Sequence, residues 1–190
     1  FRGSETGTST YPELGFRLAL RGDVKPIVHT ITTNGDPGTY KAGDTIDITL
    51  HFSAPLALSP GATLTVTLSN GGVLELSPSD VSVSSVVSVP YTVPSGQDAT
   101  GLTVTGLTLS DGATLQDPDG RDADLTRLPT GRNLADSADI DLDGIAPTVT
   151  SIALDTATPT QGGTVSFTVT FSEDVTGFVD WEDVFVVNSA

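Results

Sequence analysis

The feature that most constrains this chain is a segment that occurs twice, about 120 residues apart. The sequence "KPIVHTI" at residues 25–31 matches "APTVTSI" at 146–152, and "AGDTIDITLHFSAPL" at 42–56 matches "QGGTVSFTVTFSEDV" at 161–175. A repeat of this kind indicates one folded unit followed by a second. The spacing is typical of one sandwich domain, which is about 100 residues long.

Apolar residues alternate with polar ones inside both copies of the repeat. The alternating positions are Ile46, Ile48, Leu50 and Phe52 in the first copy and Val165, Phe167, Val169 and Phe171 in the second. A period of two predicts β-strands with one buried face. Further short alternating runs are separated by turn sequences such as "SNGG" and "SDGA", so the sequence predicts an all-β chain folded as a Greek-key β-sandwich. Pro90 interrupts one run, which places that strand at a sheet edge or a bulge.

The repeat divides the chain into three parts. The first full copy is expected at residues 23–144, and residues 145–190 are expected to be the N-terminal part of a second, truncated copy. About three strands cannot close a sandwich, so we expect the apolar face of the second copy to be exposed unless another segment covers it, and the natural protein to continue past Ala190. Residues 1–22 do not fit the repeat, which indicates the tail of a preceding domain or a linker.

The charge of the chain excludes several classes of partner. Its 24 acidic and 8 basic residues give a formal net charge of -16, which repels nucleic acid and anionic membranes. The same surplus suits salty or calcium-containing surroundings. There is no cysteine, no apolar run approaches the roughly 20 residues of a membrane-spanning helix, and no G-x-S-x-G motif is present. We therefore expect neither membrane insertion in this segment nor an enzyme.

The stretch "FSEDVTGFVDWEDVFVVNSA", residues 171–190, resembles a signature of bacterial Ig-like repeats in large surface and secreted adhesins. The matching residues are Phe171, Ser172, Glu173, Val175, Gly177, Phe178, Asp183, Val184, Val186 and Asn188. The first copy is similar to related domains that end I-D-x-x-A-P-T-V, with Arg121 where those domains usually have Asn. The resemblance implies tandem Ig-like sandwiches that act outside the cell as a structural or adhesive spacer. Its implied partners are neighbouring repeats in the same chain and a glycan or a surface protein, with each module monomeric.

A second resemblance concerns the first residues of the chain. Residues 1–21, with "GFRLA" at 15–19, are similar to the C-terminal end of a formylglycine-generating (sulfatase-modifying) enzyme domain. The catalytic cysteines of that family are not in this chain, so the resemblance implies a structural remnant. An accessory region of such an enzyme is one alternative function, and a carbohydrate- or protein-binding module is another. For the binding module, the loop "SGQDATG" and residues near Trp181 are the candidate contacts, and the alternative for Trp181 is a place in the core.

Three aspartates with a spacing of two precede the second copy. Asp139, Asp141 and Asp143 form the D-x-D-x-D-G opening of a calcium loop. The EF-hand pattern then fails, because Thr150 takes the position of its final Glu and Pro147 interrupts the loop. Two readings stay open: the aspartates line the outer face of a last strand, or they bind calcium at the junction together with a following loop that carries Glu173 or Asp174.

A second acidic cluster lies in "DPDGRDAD", residues 117–124. A hairpin turn explains Asp117 and Gly120, because Asp caps the backbone and Gly takes a positive φ. Asp119 and Asp122 are left over. The cluster of Asp117, Asp119 and Asp122 is therefore the second candidate calcium site. His29 and His51 are far apart in sequence and are expected to be exposed strand residues.

Overall fold

The computed structural model describes residues 24–155 and 165–179, and strands are the main regular secondary structure of these residues. Its strands are β1 (Val28–Thr33), β2 (Gly38–Lys41), β3 (Thr45–Leu58), β4 (Leu64–Leu68), β5 (Val73–Leu76), β6 (Ser84–Thr92), β7 (Asp98–Ala99), β8 (Val104–Leu109), β9 (Leu115–Gln116), β10 (Ile140–Asp143), β11 (Val149–Leu154) and β12 (Phe167–Phe171). One short helix in these ranges, α1 (Leu134–Ser137), precedes β10. The prediction of an all-β chain is confirmed. Residues 1–22 and Trp181 lie outside the described residues.

One sheet is built around the long strand β3. Its order is β1-β3-β6, with both pairings antiparallel, and β9 pairs with the far end of β3. Strand β6 carries Pro90 opposite Asp47 and ends the strand order. An edge position tolerates proline because the outer side of the strand donates no ladder hydrogen bonds. The edge placement predicted from Pro90 is the one observed.

The remaining strands of the first copy form two three-stranded sheets. One has the order β5-β4-β8, and the other has the order β2-β10-β7 with β2 and β10 parallel. The Leu102 N–H donates to the Ile140 carbonyl at 2.8 Å, which connects the chain between β7 and β8 to β10. The segment that begins the first copy is thus divided: β1 pairs in one sheet and β2 in another.

A single apolar core lies between the β3 sheet and the two three-stranded sheets. The inward residues of β3 predicted by the alternation, from Ile46 to Phe52, are at most 2% exposed. They belong to the same buried cluster as Leu64 and Val66 of β4 and Ile140 and Leu142 of β10. Two apolar sheet faces that cover each other in this way give a sandwich-like arrangement.

The connection from β8 to β10 covers one side of the core. Asn133 caps α1 with its side chain, and its amide also bonds the backbone of Val104 in β8. The Ile31 N–H on β1 donates to the Arg132 carbonyl at 2.8 Å. Leu134 is fully buried beneath this connection. The backbone of β1 is therefore bonded by this connection as well as by β3.

The second copy of the repeat forms a strand pair with the same register as the first. In β1–β3, Val28 lies opposite Phe52 and the register shifts by one residue before Thr30 meets His51. In β11–β12, Val149 lies opposite Phe171, with the same shift before Ser151 meets Thr170.

The end of each strand pair is also closed by the same contacts. Ser53 Oγ accepts from the Ile27 N–H, and Ser172 Oγ accepts from the Thr148 N–H, both at 3.0 Å. The backbone bond returns in each case, from the Ser53 N–H to Ile27 and from the Ser172 N–H to Thr148. The sequence match therefore extends to the hydrogen bonds of the two pairs.

The two strand pairs differ in what covers them. Ile31 is fully buried, whereas its counterpart Ile152 is 65% exposed. Ile48 is fully buried as well, and its counterpart Phe167 is 51% exposed. The backbone pairing is the same in both strand pairs. The difference in exposure therefore comes from the opposing strands, which cover β1–β3 and do not cover the described residues of β11–β12.

This difference predicts opposite effects of one mutation at matched positions. Ile31→Ala leaves a cavity in a closed core and should lower the free energy of unfolding by about 2–5 kcal/mol. Ile152→Ala removes a side chain that water already reaches, so its effect should stay within about 0.5 kcal/mol. Urea unfolding followed by circular dichroism measures both. Equal losses for the two variants would mean that β11–β12 is covered in solution.

Candidate functional site

The aspartates of β10 occupy the side of the strand that faces away from the core. Ile140 and Leu142 are buried, and Asp139, Asp141 and Asp143 alternate with them. Asp141 Oδ1 accepts a hydrogen bond from the Gly101 N–H at 2.9 Å. The alternation read from the sequence thus places these carboxylates, and Asp141 already has a backbone partner.

Asp143 stands in a cross-strand row of charged residues. Its neighbour in the parallel strand β2 is Lys41, and its neighbour in the antiparallel strand β7 is Asp98. Side chains directly opposite on one face interact, and like charges there are destabilising. The ammonium of Lys41 therefore offsets part of the repulsion between Asp143 and Asp98.

The chain leaves β10 through a tightly held glycine. The Gly144 N–H donates to the Gln97 carbonyl at 2.8 Å, and the Gly144 carbonyl accepts from the Gly96 N–H at 2.6 Å. A Cβ at position 144 would lie 2.5 Å from the carbonyl oxygens of both Gln97 and Pro94. Only glycine fits this approach without a backbone shift. The start of the segment that leads to the second copy is thereby fixed.

A cleft of about 610 Å³ lies where the two copies of the repeat meet. Its charged lining residues are Lys41, Asp143, Glu173 and Asp174. Phe171 and Phe178 also line it, and their rings meet edge to face with centroids 5.1 Å apart. The structure therefore brings Asp143 to the same cleft as Glu173 and Asp174, the two residues considered from the sequence. Asp139 and Asp141 do not line the cleft.

The chemistry of this lining suits calcium only in part. Carboxylate oxygens are the ligands that calcium prefers, and six to eight oxygens complete its shell. Within residues 24–155 and 165–179, no group of three or more His, Cys, Asp or Glu side chains is arranged to hold a metal ion. The basic residue Lys41 also lines the same space. Calcium at the junction stays a prediction.

The acidic turn at residues 117–122 is organised by an arginine. Asp117 Oδ1 accepts from the backbone N–H groups of Asp119 and Arg121, and Asp117 Oδ2 accepts from the Arg121 guanidinium at 2.8 Å. The hydrogen bond from the Arg121 backbone lowers the pKa of Asp117 below its ordinary value; burial opposes this, and the guanidinium adds to the lowering. Among the residues that the structure describes, Asp117 is the only buried polar or charged one, at 6% exposure.

The other two aspartates of this turn are also engaged. Asp119 Oδ2 forms an ion pair with Arg121 Nη2 at 2.7 Å, and Asp122 Oδ1 accepts from Gln116 Nε2 at 2.9 Å. The guanidinium of Arg121 therefore bonds two of the three candidate calcium ligands of this turn, the carboxylates of Asp117 and Asp119. A metal ion in this turn would have to displace that cation.

The two histidines are closer together than the sequence suggested. His29 is exposed and His51 half-buried, and their rings meet at a centroid distance of 6.3 Å. Alternation predicts both histidines on the outer faces of their strands, and the pairing of β1 with β3 brings them together. Val28 lies opposite Phe52, so the adjacent residues His29 and His51 are neighbours on that face.

Comparisons with known proteins give no assignment: no family model, no curated protein and no solved structure matches this chain. In the described ranges, no helix is long and apolar enough to cross a membrane.

The engagement of Asp117 predicts a specific acid sensitivity. Its folded pKa lies below the ordinary value near 4, so its contribution to stability is present above that pH and is lost as the pH falls through the folded value. Asp117→Asn should lower stability at pH 7 and should lose less stability than the parent protein between about pH 5 and pH 3. Urea midpoints across this range measure both effects.

Asp111→Asn is the matched control, because it removes the same charge from an exposed turn. Its midpoints should follow those of the parent protein. A parallel acid loss in Asp117→Asn and the parent protein would contradict the role given to the Asp117–Arg121 pair.

The packing around Gly144 predicts a penalty for a single methyl group. Gly144→Ala forces the backbone away from two carbonyl oxygens and should cost about 1–3 kcal/mol of unfolding free energy. Gly106→Ala in β8 is the control, because its Cβ would meet nothing nearer than 3.8 Å. It should be neutral or slightly stabilising. Thermal unfolding compares the two, and equal midpoints would disprove the close approach at Gly144.

Proposed function

We propose that this chain is part of a tandem array of Ig-like Greek-key modules, a non-catalytic structural and adhesive spacer in a multidomain bacterial surface or secreted protein. The observation that carries the proposal is the pair of matched strand pairs, β1–β3 and β11–β12, with one register, one bulge position and one terminal serine contact. Two segments of one chain that share these details are best explained as the same structural unit used twice.

The strand arrangement supports an Ig-like module in the first copy. Strands β1, β3 and β6 correspond to the A, B and E strands of that fold, and β4, β8 and β10 to C, F and G. The first segment of this copy pairs with β3 as β1. It then passes to the opposite side of the core as β2, which runs parallel to β10. This division of the first segment between sheets favours an Ig-like module over a simple up-and-down barrel.

The join between the copies supports a spacer. A spacer must transmit direction from one unit to the next, and this requires a linker that is short and held. Gly144 is fixed by two backbone bonds, and only four residues separate it from β11 at Val149. Pro147 lies in this linker at the position that Pro26 takes before β1 and restricts φ there.

The surface charge fits an extracellular location. A net charge of -16 keeps neighbouring modules apart and soluble, and it suits surroundings that contain abundant cations. The partners that we propose are the adjoining repeats of the same chain and a glycan or a surface protein. Each module acts as a monomer.

The proposal includes a calcium ion bound in the cleft between the two copies. Asp143, Glu173 and Asp174 are the residues that would hold the ion, and backbone carbonyls and water would complete its shell. A bound ion would supply a divalent bridge between β10 and the loop after β12. The angle between the two copies would then be restricted.

A thermal shift assay tests the calcium site. Extracellular calcium modules bind with dissociation constants of about 0.1–1 mM, so about 10 mM calcium should stabilise the protein by about 1.4 kcal/mol or more, a rise in Tm of about 4 °C. Magnesium at the same concentration should raise Tm less, because it dehydrates reluctantly.

The controls separate a bound ion from general screening. Asp143→Asn combined with Asp174→Asn should abolish the difference between calcium and magnesium. Asp111→Asn combined with Asp36→Asn removes the same charge from exposed residues and should keep that difference, since neither residue lines the cleft. Equal rises in Tm with calcium and magnesium in the parent protein would rule out the calcium site. The proposal of a structural spacer would not be affected by that result.

A further inference from the structure

The chain has only two histidines, and the fold places them side by side. His29 lies on β1 and His51 on β3, 22 residues apart in sequence. Their ring centroids are 6.3 Å apart and the ring planes meet at 67°. Both rings stand on the outer face of the β1–β3 pair, away from the core residues Ile31 and Leu50.

The antiparallel pairing of β1 with β3 is the reason for this proximity, and a bulge in β1 adds Thr30 to the neighbours of His51. Val28 lies opposite Phe52 and Thr30 opposite His51, so His29 is the extra residue between these two pairs. A bulge places two residues of one strand opposite one residue of its partner. His29 and Thr30 therefore both lie next to His51.

A hydrogen bond orients the ring of His51. Its Nε2 lies 3.0 Å from Thr32 Oγ1. When Nε2 carries the proton and donates to the hydroxyl, the lone pair of Nδ1 is left for another ligand. Metal-binding histidines are held in this way, with the second ring nitrogen bonded to an oxygen.

We propose that His29 and His51 form a two-imidazole binding site for a divalent transition-metal ion of the copper and zinc class. Imidazole nitrogen suits these ions, and among the first-row divalent metals copper(II) binds such ligands most tightly. The exposed position leaves the remaining coordination positions to water. Calcium is not the ligand here, because it takes oxygen donors.

The distance between the rings is compatible with a shared ion. At a metal–nitrogen distance of about 2.0–2.1 Å and a tetrahedral angle, two coordinating imidazoles have centroids about 5.3 Å apart. The observed 6.3 Å requires a closure of about 1 Å. His29 is exposed, and its side-chain torsions can supply this movement on a nanosecond timescale.

The acidic surface favours the encounter with a cation. A net charge of -16 raises the local concentration of divalent ions around the whole molecule. This attraction does not select between metals, whereas the imidazole pair does. The second copy of the repeat has no imidazole pair at the matched positions, because Thr150 and Thr170 take the places of His29 and His51.

Proton NMR with copper(II) as the probe tests the proposal directly. With two histidines in the chain, two sets of imidazole signals are expected. Substoichiometric copper(II) at neutral pH should broaden both sets together. His29→Gln should weaken copper binding at His51 by about a hundredfold, because the second ligand no longer binds at high effective concentration. His51→Gln should do the same to His29.

Two outcomes would overturn the proposal. If His51 binds copper(II) equally well with and without His29, the two rings act separately. If the doubly substituted variant keeps the copper affinity of the parent protein, carboxylates carry the binding. A millimolar excess of calcium separates the two ligand classes, since it should displace copper from carboxylates and leave the imidazole signals broadened. Circular dichroism of each variant verifies that the outer-face substitutions leave the fold intact.

Discussion

Burial of one face of β3 is the constraint on which the rest of the structure depends. Its inward residues from Ile46 to Phe52 are almost completely removed from water, and each buried aliphatic side chain contributes about 1.5–3 kcal/mol. The sheet that contains β3 cannot bury its own apolar face, so a second layer must pack against that face. The division of the first segment into β1 and β2 and the cover by Leu134 follow from this need, since each adds apolar surface around the same cluster.

The second strand pair separates what is local in this structure from what is not. The bulge, the register and the serine contact occur again in β11–β12, although Ile152 and Phe167 remain largely exposed. These backbone features therefore depend on the short matched segments and on the serine hydrogen bonds at the end of each strand pair. Burial comes from strands distant in sequence, so a matched motif specifies the shape of the pair without supplying its core.

This distinction explains which parts could be predicted from the sequence. Alternation placed Ile140 and Leu142 inside and Asp139, Asp141 and Asp143 outside, because it depends only on the period of a strand. The bonding of Asp117 and Asp119 to Arg121 could not be predicted, because it depends on which carboxylates a long side chain reaches after the turn has closed. The meeting of the two histidines was missed for another reason: alternation gives the face on which each residue lies, whereas the pairing of β1 with β3 joins residues that are distant in sequence.

Repulsion between carboxylates opposes close packing at the junction between the copies. Asp143, Glu173 and Asp174 share one cleft, and like charges about 4 Å apart in water repel by about 1 kcal/mol. Lys41 and dissolved salt weaken that repulsion without specifying a direction, since screening acts on all exposed charges within about 8 Å at physiological ionic strength. Directional contacts lie on each side of the cleft instead. Gly144 is bonded to Gly96 and Gln97 within the first copy, and Phe171 packs edge to face on Phe178 within the second. Each wall of the cleft is therefore held within its own copy, and none of these contacts crosses the junction.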